Sequence, residues 1–277
     1  MIDTHCHLTF PDLAHDVEGI IEHAKSLGVN GMITVSTTTA NCVDCLELAE
    51  RFDNVWCSSG VHPLYSDPAR GDRDAEAGEH DWARMRKVAE HERCVAWGEL
   101  GLDMHYDEPP LDLQKRVLAE QLALIEQCDA DGLVKPIIVH CRKAVGELIP
   151  ILRSSTVDPS RFVFHCFTEG PDDARAVLDF GAMISFTGIV TYNNAQEVAE
   201  SARLTPLDRM MAETDAPFLS PRRVRKQRPC LPGFSRYTAE FLAELKEKDW
   251  AAFESIIDDN TERFFGIRVP SSVETGA

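Results

Sequence analysis

The fold class this sequence predicts is α/β: a (β/α)8 barrel in a single domain, eight parallel strands alternating with helices. Three observations carry the prediction. Eight short apolar, β-branched stretches recur, at 2–7, 32–36, 55–59, 95–99, 137–140, 162–165, 182–185 and 210–213. Segments with helical periodicity lie between them, at 17–27, 42–51, 82–90, 113–129, 145–152, 172–180 and 196–202. Each return to a parallel strand requires such a crossover, so the alternation implies a parallel sheet, and eight units imply closure. No long linker divides the 277 residues, a length close to the roughly 250 of single barrels.

Taken in order, the first strand reads Met1-Ile2-Asp3-Thr4-His5-Cys6-His7-Leu8. Extended backbone alternates its side chains, so His5 and His7 point one way while Thr4, Cys6 and Leu8 point the other. Two imidazoles on one face can grip a single transition-metal ion; the bare pair equally fits an N-terminal strand with incidental histidines. Gly28, Gly132 and Gly181 lie where helices should stop, and Pro171 suits a first helical position. Cys42-x-x-Cys45 falls in a helical segment with no second such pair, which reads as packing cysteines rather than a zinc or redox site. The acidic stretch 66–80 contains Pro and Gly and reads as an exposed loop insertion. An irregular segment at 217–234 follows the eighth strand, then helices around 237–246 and 251–257. The domain therefore spans 1–268, and 269–277 reads as a flexible tail.

Composition sets the outer bounds. Hydrophobic content of 44% is ample for one large core, and no apolar run approaches the ~20 residues that cross a bilayer. The N-terminus lacks the pattern of a signal peptide. Nine cysteines, an odd number without a disulfide-like framework, fit a reducing compartment. The expectation is a cytoplasmic protein, a monomer without membrane contact. A formal charge of −18 argues against broad adhesion to nucleic acid. A polyanionic substrate would have to be drawn in locally, and Arg222, Arg223, Arg225, Lys226 and Arg228 form the densest basic cluster available.

The chemistry-bearing residues fall at the carboxyl ends of the predicted strands, where barrel enzymes build their sites. His5 and His7 come from the first, His62 follows the third, Glu99 ends the fourth, His140 the fifth and His165 the sixth, and Asp215 follows the eighth. Singly, each has an ordinary structural reading as a hydrogen-bonded histidine, an ion-pair partner or a turn cap. Their shared placement at equivalent strand ends is not explained that way, and it points to a site. Histidine and carboxylate in this number also differ from a closed, thiolate-rich structural zinc site, which favours catalysis over a metal-binding scaffold.

The set Asp3-Thr4-His5-Cys6-His7, Gly60-Val61-His62-Pro63, Gly98-Glu99-Leu100-Gly101-Leu102-Asp103, Val139-His140-Cys141-Arg142, His165-Cys166-Phe167, Glu213-Thr214-Asp215-Ala216-Pro217-Phe218-Leu219 and Asn260-Thr261-x-x-Phe264-Phe265 resembles the TatD family of metal-dependent deoxyribonucleases. The resemblance implies an amidohydrolase-like TIM barrel, two divalent ions (Mg, Mn or Zn) and 3′→5′ exonuclease action on single-stranded DNA, with RNA as a further substrate and a role in DNA repair or degradation. By matching positions, it implies that His5, His7 and Asp215 hold one ion, that His140 and His165 hold the second, and that Glu99 bridges them. Asp215 is then the general-base candidate, and His62 contacts the scissile phosphate. Arg142, just past His140, is a second phosphate candidate or an ion-pair member, and Arg222, Arg223 and Arg225 would line the rim for the nucleic-acid backbone. The chain departs from the family pattern at Leu64, where a second histidine is common, at Arg225-Lys226-Gln227-Arg228-Pro229-Cys230, which lacks an Asn-Glu, and in the length of 66–80. These departures bear on substrate choice, and the alternative reading keeps the same ligands but hydrolyses a small ester, amide or phosphoester.

Overall fold

The computed structural model describes residues 1–70 and 80–268. The tail at 269–277 and most of the proposed insertion, residues 71–79, therefore lie outside the described residues. In chain order the elements are β1 (Ile2–Cys6), α1 (Pro11–Ala14), α2 (Val17–Ser26), β2 (Gly31–Thr34), α3 (Asn41–Arg51), β3 (Val55–Ser59), α4 (Trp82–Ala89), β4 (Cys94–Asp103), α5 (Leu111–Ala130), β5 (Ile137–Arg142), α6 (Val145–Ser154), β6 (Phe162–Phe164), α7 (Pro171–Phe180), β7 (Met183–Phe186), α8 (Gln196–Leu204), β8 (Met210–Ala212), α9 (Ser235–Leu245) and α10 (Trp250–Phe265), with short 3₁₀ turns between. One sheet contains all eight strands in the order β1 to β8. A parallel bridge from Cys6 to Ala216, just past β8, brings the last strand back to the first, so the sheet is a barrel as the strand–helix alternation predicts.

The described chain groups into two compact units, one of residues 1–34, 166–175 and 184 onwards, the other of 35–165 and 176–183. In the first, β1 pairs with β2 through Ile2↔Gly31, Asp3↔Met32 and Cys6↔Thr34. Around them Ile2, Met32, Ile33, Met210, Phe234 and Phe253 are buried. Asn260 of α10 donates to Leu207 O (2.7 Å) and Met210 O (2.9 Å), two carbonyls at the entrance of β8. That gives the Asn260-Thr261 motif a structural purpose: it fixes where β8 begins.

α10 also carries a charge that opposes folding. Burial, with Glu254 adding to it, outweighs the amino group of Met1 and pushes Asp258 up to about 6. A carboxyl whose folded pKa exceeds its unfolded value near 3.9 binds its proton more tightly when folded, so stability falls as pH rises through the window from about 4 to 6. Wild type should lose about 2–3 kcal/mol across that window relative to Asp258→Asn. Urea unfolding of both proteins at several pH values between 4.5 and 7.5 measures the difference, and parallel curves would refute it.

The second unit holds β3 to β6, with Trp97, Val139, Phe162 and Phe164 in its core. β4 is ten residues long, Cys94–Asp103, not the 95–99 read from the sequence. Its register against β5 shifts between Trp97 and Leu100, then resumes through Leu100↔Val139 to Asp103↔Arg142. The glycines of Gly98-Glu99-Leu100-Gly101 thus permit a bulge rather than ending the strand, and Glu99 lies within β4 instead of at its end. α3 buries both Cys42 and Cys45, whose thiols donate to Thr39 O and Asn41 Oδ1 at 3.1 and 3.7 Å; they are packing cysteines. α5 runs alongside as the longest helix described. Its buried Gln121 closes a two-bond clamp on Val61, accepting from Val61 N (2.8 Å) and donating to Val61 O (3.0 Å).

Candidate active site

In the first unit, β1 presents His5 and His7 as its alternation requires. His7 Nε2 lies 3.3 Å and His5 Nε2 3.8 Å from Asp215 Oδ1. Asp215 is held there by its backbone: it sits at φ 61°, in the left-handed region, and its N–H donates to His5 O at 2.9 Å. Asp3 and Glu213 are buried behind this group. Asp3 accepts from Thr214 N and Oγ1 at 2.9 and 2.5 Å, and burial still pushes its carboxyl well above the usual range. Glu213 accepts from Thr4 Oγ1 (3.2 Å) and from the N–H of Cys166 (2.6 Å), the residue after His165. The ring of His7 stacks on Phe10 at 4.6 Å, and Phe10 meets Phe218 edge-on at 6.1 Å. Phe218 is 46% exposed.

In the second unit three imidazoles face one carboxylate. Glu99 Oε2 lies 2.8 Å from His165 Nε2, 3.2 Å from His140 Nδ1 and 3.7 Å from His62 Nε2. His62 accepts from Leu64 N–H through Nδ1 (3.0 Å), so in its neutral form Nε2 carries the proton and is a donor. Only the main chain of residue 64 is used in this bond, so leucine there is compatible with an oriented His62. The far nitrogen of His140, Nε2, lies 3.1 Å from Asp103 Oδ2. Burial disfavours charge on His140, but its bonds to Asp103 and Glu99 outweigh burial and raise its pKa. Burial opposes the Asp103 carboxylate too, and there the His140 bond prevails and lowers the pKa.

These groups have the chemistry of metal ligands. Donor atoms of His5, His7 and Asp215 all lie within 4.8 Å of one another, as do those of His62, Glu99 and His140. Mixed imidazole and carboxylate donors suit zinc, manganese or iron, and magnesium when phosphate oxygens complete the shell. The structure therefore brings these residues together within each unit, and it adds His62, which the resemblance implies only as a phosphate contact, to a ligand-capable trio. The arginines are more committed than the sequence suggests. Arg142 lies over the Tyr106 ring at 5.4 Å, Arg225 over Tyr192 at 3.8 Å, and Arg223 over Tyr237 at 4.6 Å. Arg223 also pairs with Glu240 at 3.1 Å, and Arg222 donates to Asn193. The sequence motifs assign Asp103 and Glu213 no role. Asp103 had one legible signal, since period two puts it on the same face of β4 as Glu99.

The model of the family described as TatD related DNase matches residues 2–266 of this chain. The chain belongs to the TatD family. A metal-dependent hydrolase of Bacillus subtilis, YabD, is 34% identical over 268 residues, spanning 96% of this chain and 99% of that protein. The TatD protein of Enterobacter lignolyticus, named a 3′-5′ ssDNA/RNA exonuclease, is 30% identical over 277 residues, again covering 96% and 99%. Among solved structures, the Escherichia coli TatD homologue YJJV superposes with a TM-score of 0.84 at 27% identity, covering 96% of this chain and 98% of that one. This TatD chain is thus a metal-dependent hydrolase on an eight-stranded barrel. Among the described residues no helix is long and apolar enough to cross a membrane.

Proposed function

We propose that this TatD protein is a divalent-metal-dependent 3′→5′ exonuclease that hydrolyses phosphodiester bonds of single-stranded DNA, and also of RNA. The observation that carries the reading is the pair of histidine–carboxylate donor groups, each with ligand atoms within 4.8 Å, in a family with an exonuclease-named relative that this chain covers almost end to end. His5, His7 and Asp215 would hold one ion, and His140 and His165, together with Glu99, the other. When bound, such ions supply Lewis-acid stabilisation of phosphoryl charge and lower the pKa of an attacking water.

The chain's own residues supply the remainder. Asp215, set beside both first-strand imidazoles, accepts the proton that the water loses. His62 donates through Nε2 to a phosphate oxygen, its other nitrogen being occupied by Leu64 N–H. Phe218, exposed beside Phe10, offers a stacking face to an unpaired base. Arg222 and Arg225, exposed in a chain of net charge −18, give the local attraction for the backbone that the whole molecule lacks. We place the enzyme in the cytoplasm as a monomer, in keeping with nine free cysteines.

The test uses one single-stranded oligonucleotide labelled at either end, with added magnesium, manganese or zinc. Immediate release of the 3′ label as mononucleotide, with a ladder shrinking from the 3′ end when the 5′ label is followed, is the expected result. Turnover of small phosphoesters or esters with no shortening of the oligonucleotide would transfer the chemistry to a small-molecule hydrolase.

A further inference from the structure

The donor group of the second unit is backed by a buried chain of hydrogen bonds that reaches α5. Gln114, 1% exposed on α5, holds the backbone of Asp103 from both sides. Its Oε1 accepts from Asp103 N (2.8 Å), and its Nε2 donates to Asp103 O (2.9 Å) and Pro109 O (2.8 Å). The Asp103 carboxylate, 1% exposed, accepts from His105 N through Oδ1 (2.8 Å) and faces His140 Nε2 through Oδ2 (3.1 Å). Nothing about the backbone of β4 demands a carboxylate here.

The consequence lies in the other nitrogen of His140. A neutral imidazole carries one proton and one lone pair. A carboxylate at Nε2 accepts that proton's hydrogen bond, so the lone pair falls on Nδ1. Nδ1 is the atom that faces Glu99 Oε2 at 3.2 Å, with His62 Nε2 and His165 Nε2 at 3.0 and 3.4 Å. The opposite tautomer would turn an N–H towards that group and remove His140 as a ligand.

We propose that Asp103 is a positioning residue that fixes the tautomer and ring plane of His140 for ligation through Nδ1, and that Gln114 in turn fixes Asp103. This inference rests on the metal-ligand reading above, but not on the substrate. Carboxylates that hold ligating histidines typically change metal affinity by about 10–100-fold when removed.

The test is binding of Mn²⁺ and of Zn²⁺ to the full chain without nucleic acid, by calorimetry and by manganese EPR, for wild type, His140→Ala, Asp103→Ala, Asp103→Asn and Gln114→Leu. His140→Ala identifies the ion that depends on His140. Asp103→Ala should weaken that same ion about 10–100-fold and leave any other untouched. Asp103→Asn, which keeps an acceptor oxygen, should recover most of the affinity, and Gln114→Leu should lose less than Asp103→Ala. Thermal melts identify variants whose fold is lost, and Asp103→Asn, the smallest change in shape, then carries the comparison as a shift intermediate between wild type and His140→Ala. Unchanged affinities in folded Asp103 variants, or equal weakening of an ion that His140→Ala spares, would overturn the relay. Full relay behaviour in a protein that cleaves no oligonucleotide would instead overturn the exonuclease reading alone.

Discussion

Replacing Glu99 by alanine should abolish hydrolysis, lowering the rate by about 10³-fold or more, as expected when charge stabilisation at the reacting centre is lost. Glu99 is 2% exposed, and one of its oxygens sits within 3.7 Å of three imidazole nitrogens, those of His62, His140 and His165. It is the carboxylate of the ligand-capable trio in the second unit. Without it the cluster is imidazole alone, neutral and unable to offset the charge of a divalent ion. Metal content per chain should fall with activity, while the fold survives, because the carboxylate's contacts with His62, His140 and His165 are to side chains. Glu99→Gln, nearly the same in shape but uncharged, should behave like Glu99→Ala in activity and closer to wild type in melting temperature. Either variant retaining wild-type rates with its metal bound would remove Glu99 from the mechanism.

The largest effect on stability should come from Gly101→Ala. Gly101 adopts φ 149° opposite His140 across β4 and β5, and a methyl group there would lie 1.9 Å from His140 O. An overlap of that size with backbone cannot be relieved by a rotamer change, so one strand must move and take His140 with it. We expect more than about 4 kcal/mol of destabilisation, at the extreme of single substitutions, and little soluble protein. Gly146→Ala is the control. Gly146 lies in α6 with nothing within 4 Å of the added carbon, and alanine there should stabilise by about 0.5–1 kcal/mol. Comparable chemical-denaturation midpoints for the two variants would show that the close approach of β4 to β5 is not as tight as described.

Most of the barrel was legible because its signals are local. Apolar runs and helical periodicity place α2 to α9 and all eight strands within a few residues, and Pro171 and Gly28 mark ends that the structure confirms, whereas α10 runs on to Phe265, eight residues past the 257 read from the sequence. α1, a single turn from Pro11 to Ala14, is too short to show a period. β4 extends past the 95–99 read from the sequence, through Gly98 and Gly101, and its continuation shows only in its pairing with β5. Histidines of the site were legible because alternation and strand ends are enough to align them. Their supports were not. Gln114 and Gln121 read as ordinary polar positions on a helix, and what they bind is backbone, which carries no sequence signature. The basic loop was visible as charge, but Asn193, Glu240 and Tyr192, which hold its arginines, lie far away in the chain.

The two glutamine clamps also set a rule for how α5 can change length. Gln114 and Gln121 stand seven residues apart, about two helical turns, and so face the same way. One grips Asp103 and the other Val61, the neighbour of His62. A residue inserted between them would rotate one relative to the other by about 100° and release whichever clamp is less well packed. The stretch from 114 to 121 therefore works as a ruler. Insertions that the helix would absorb near its exposed ends should be intolerable inside it, and the loops after β3 and β4 are bound to drift together or not at all.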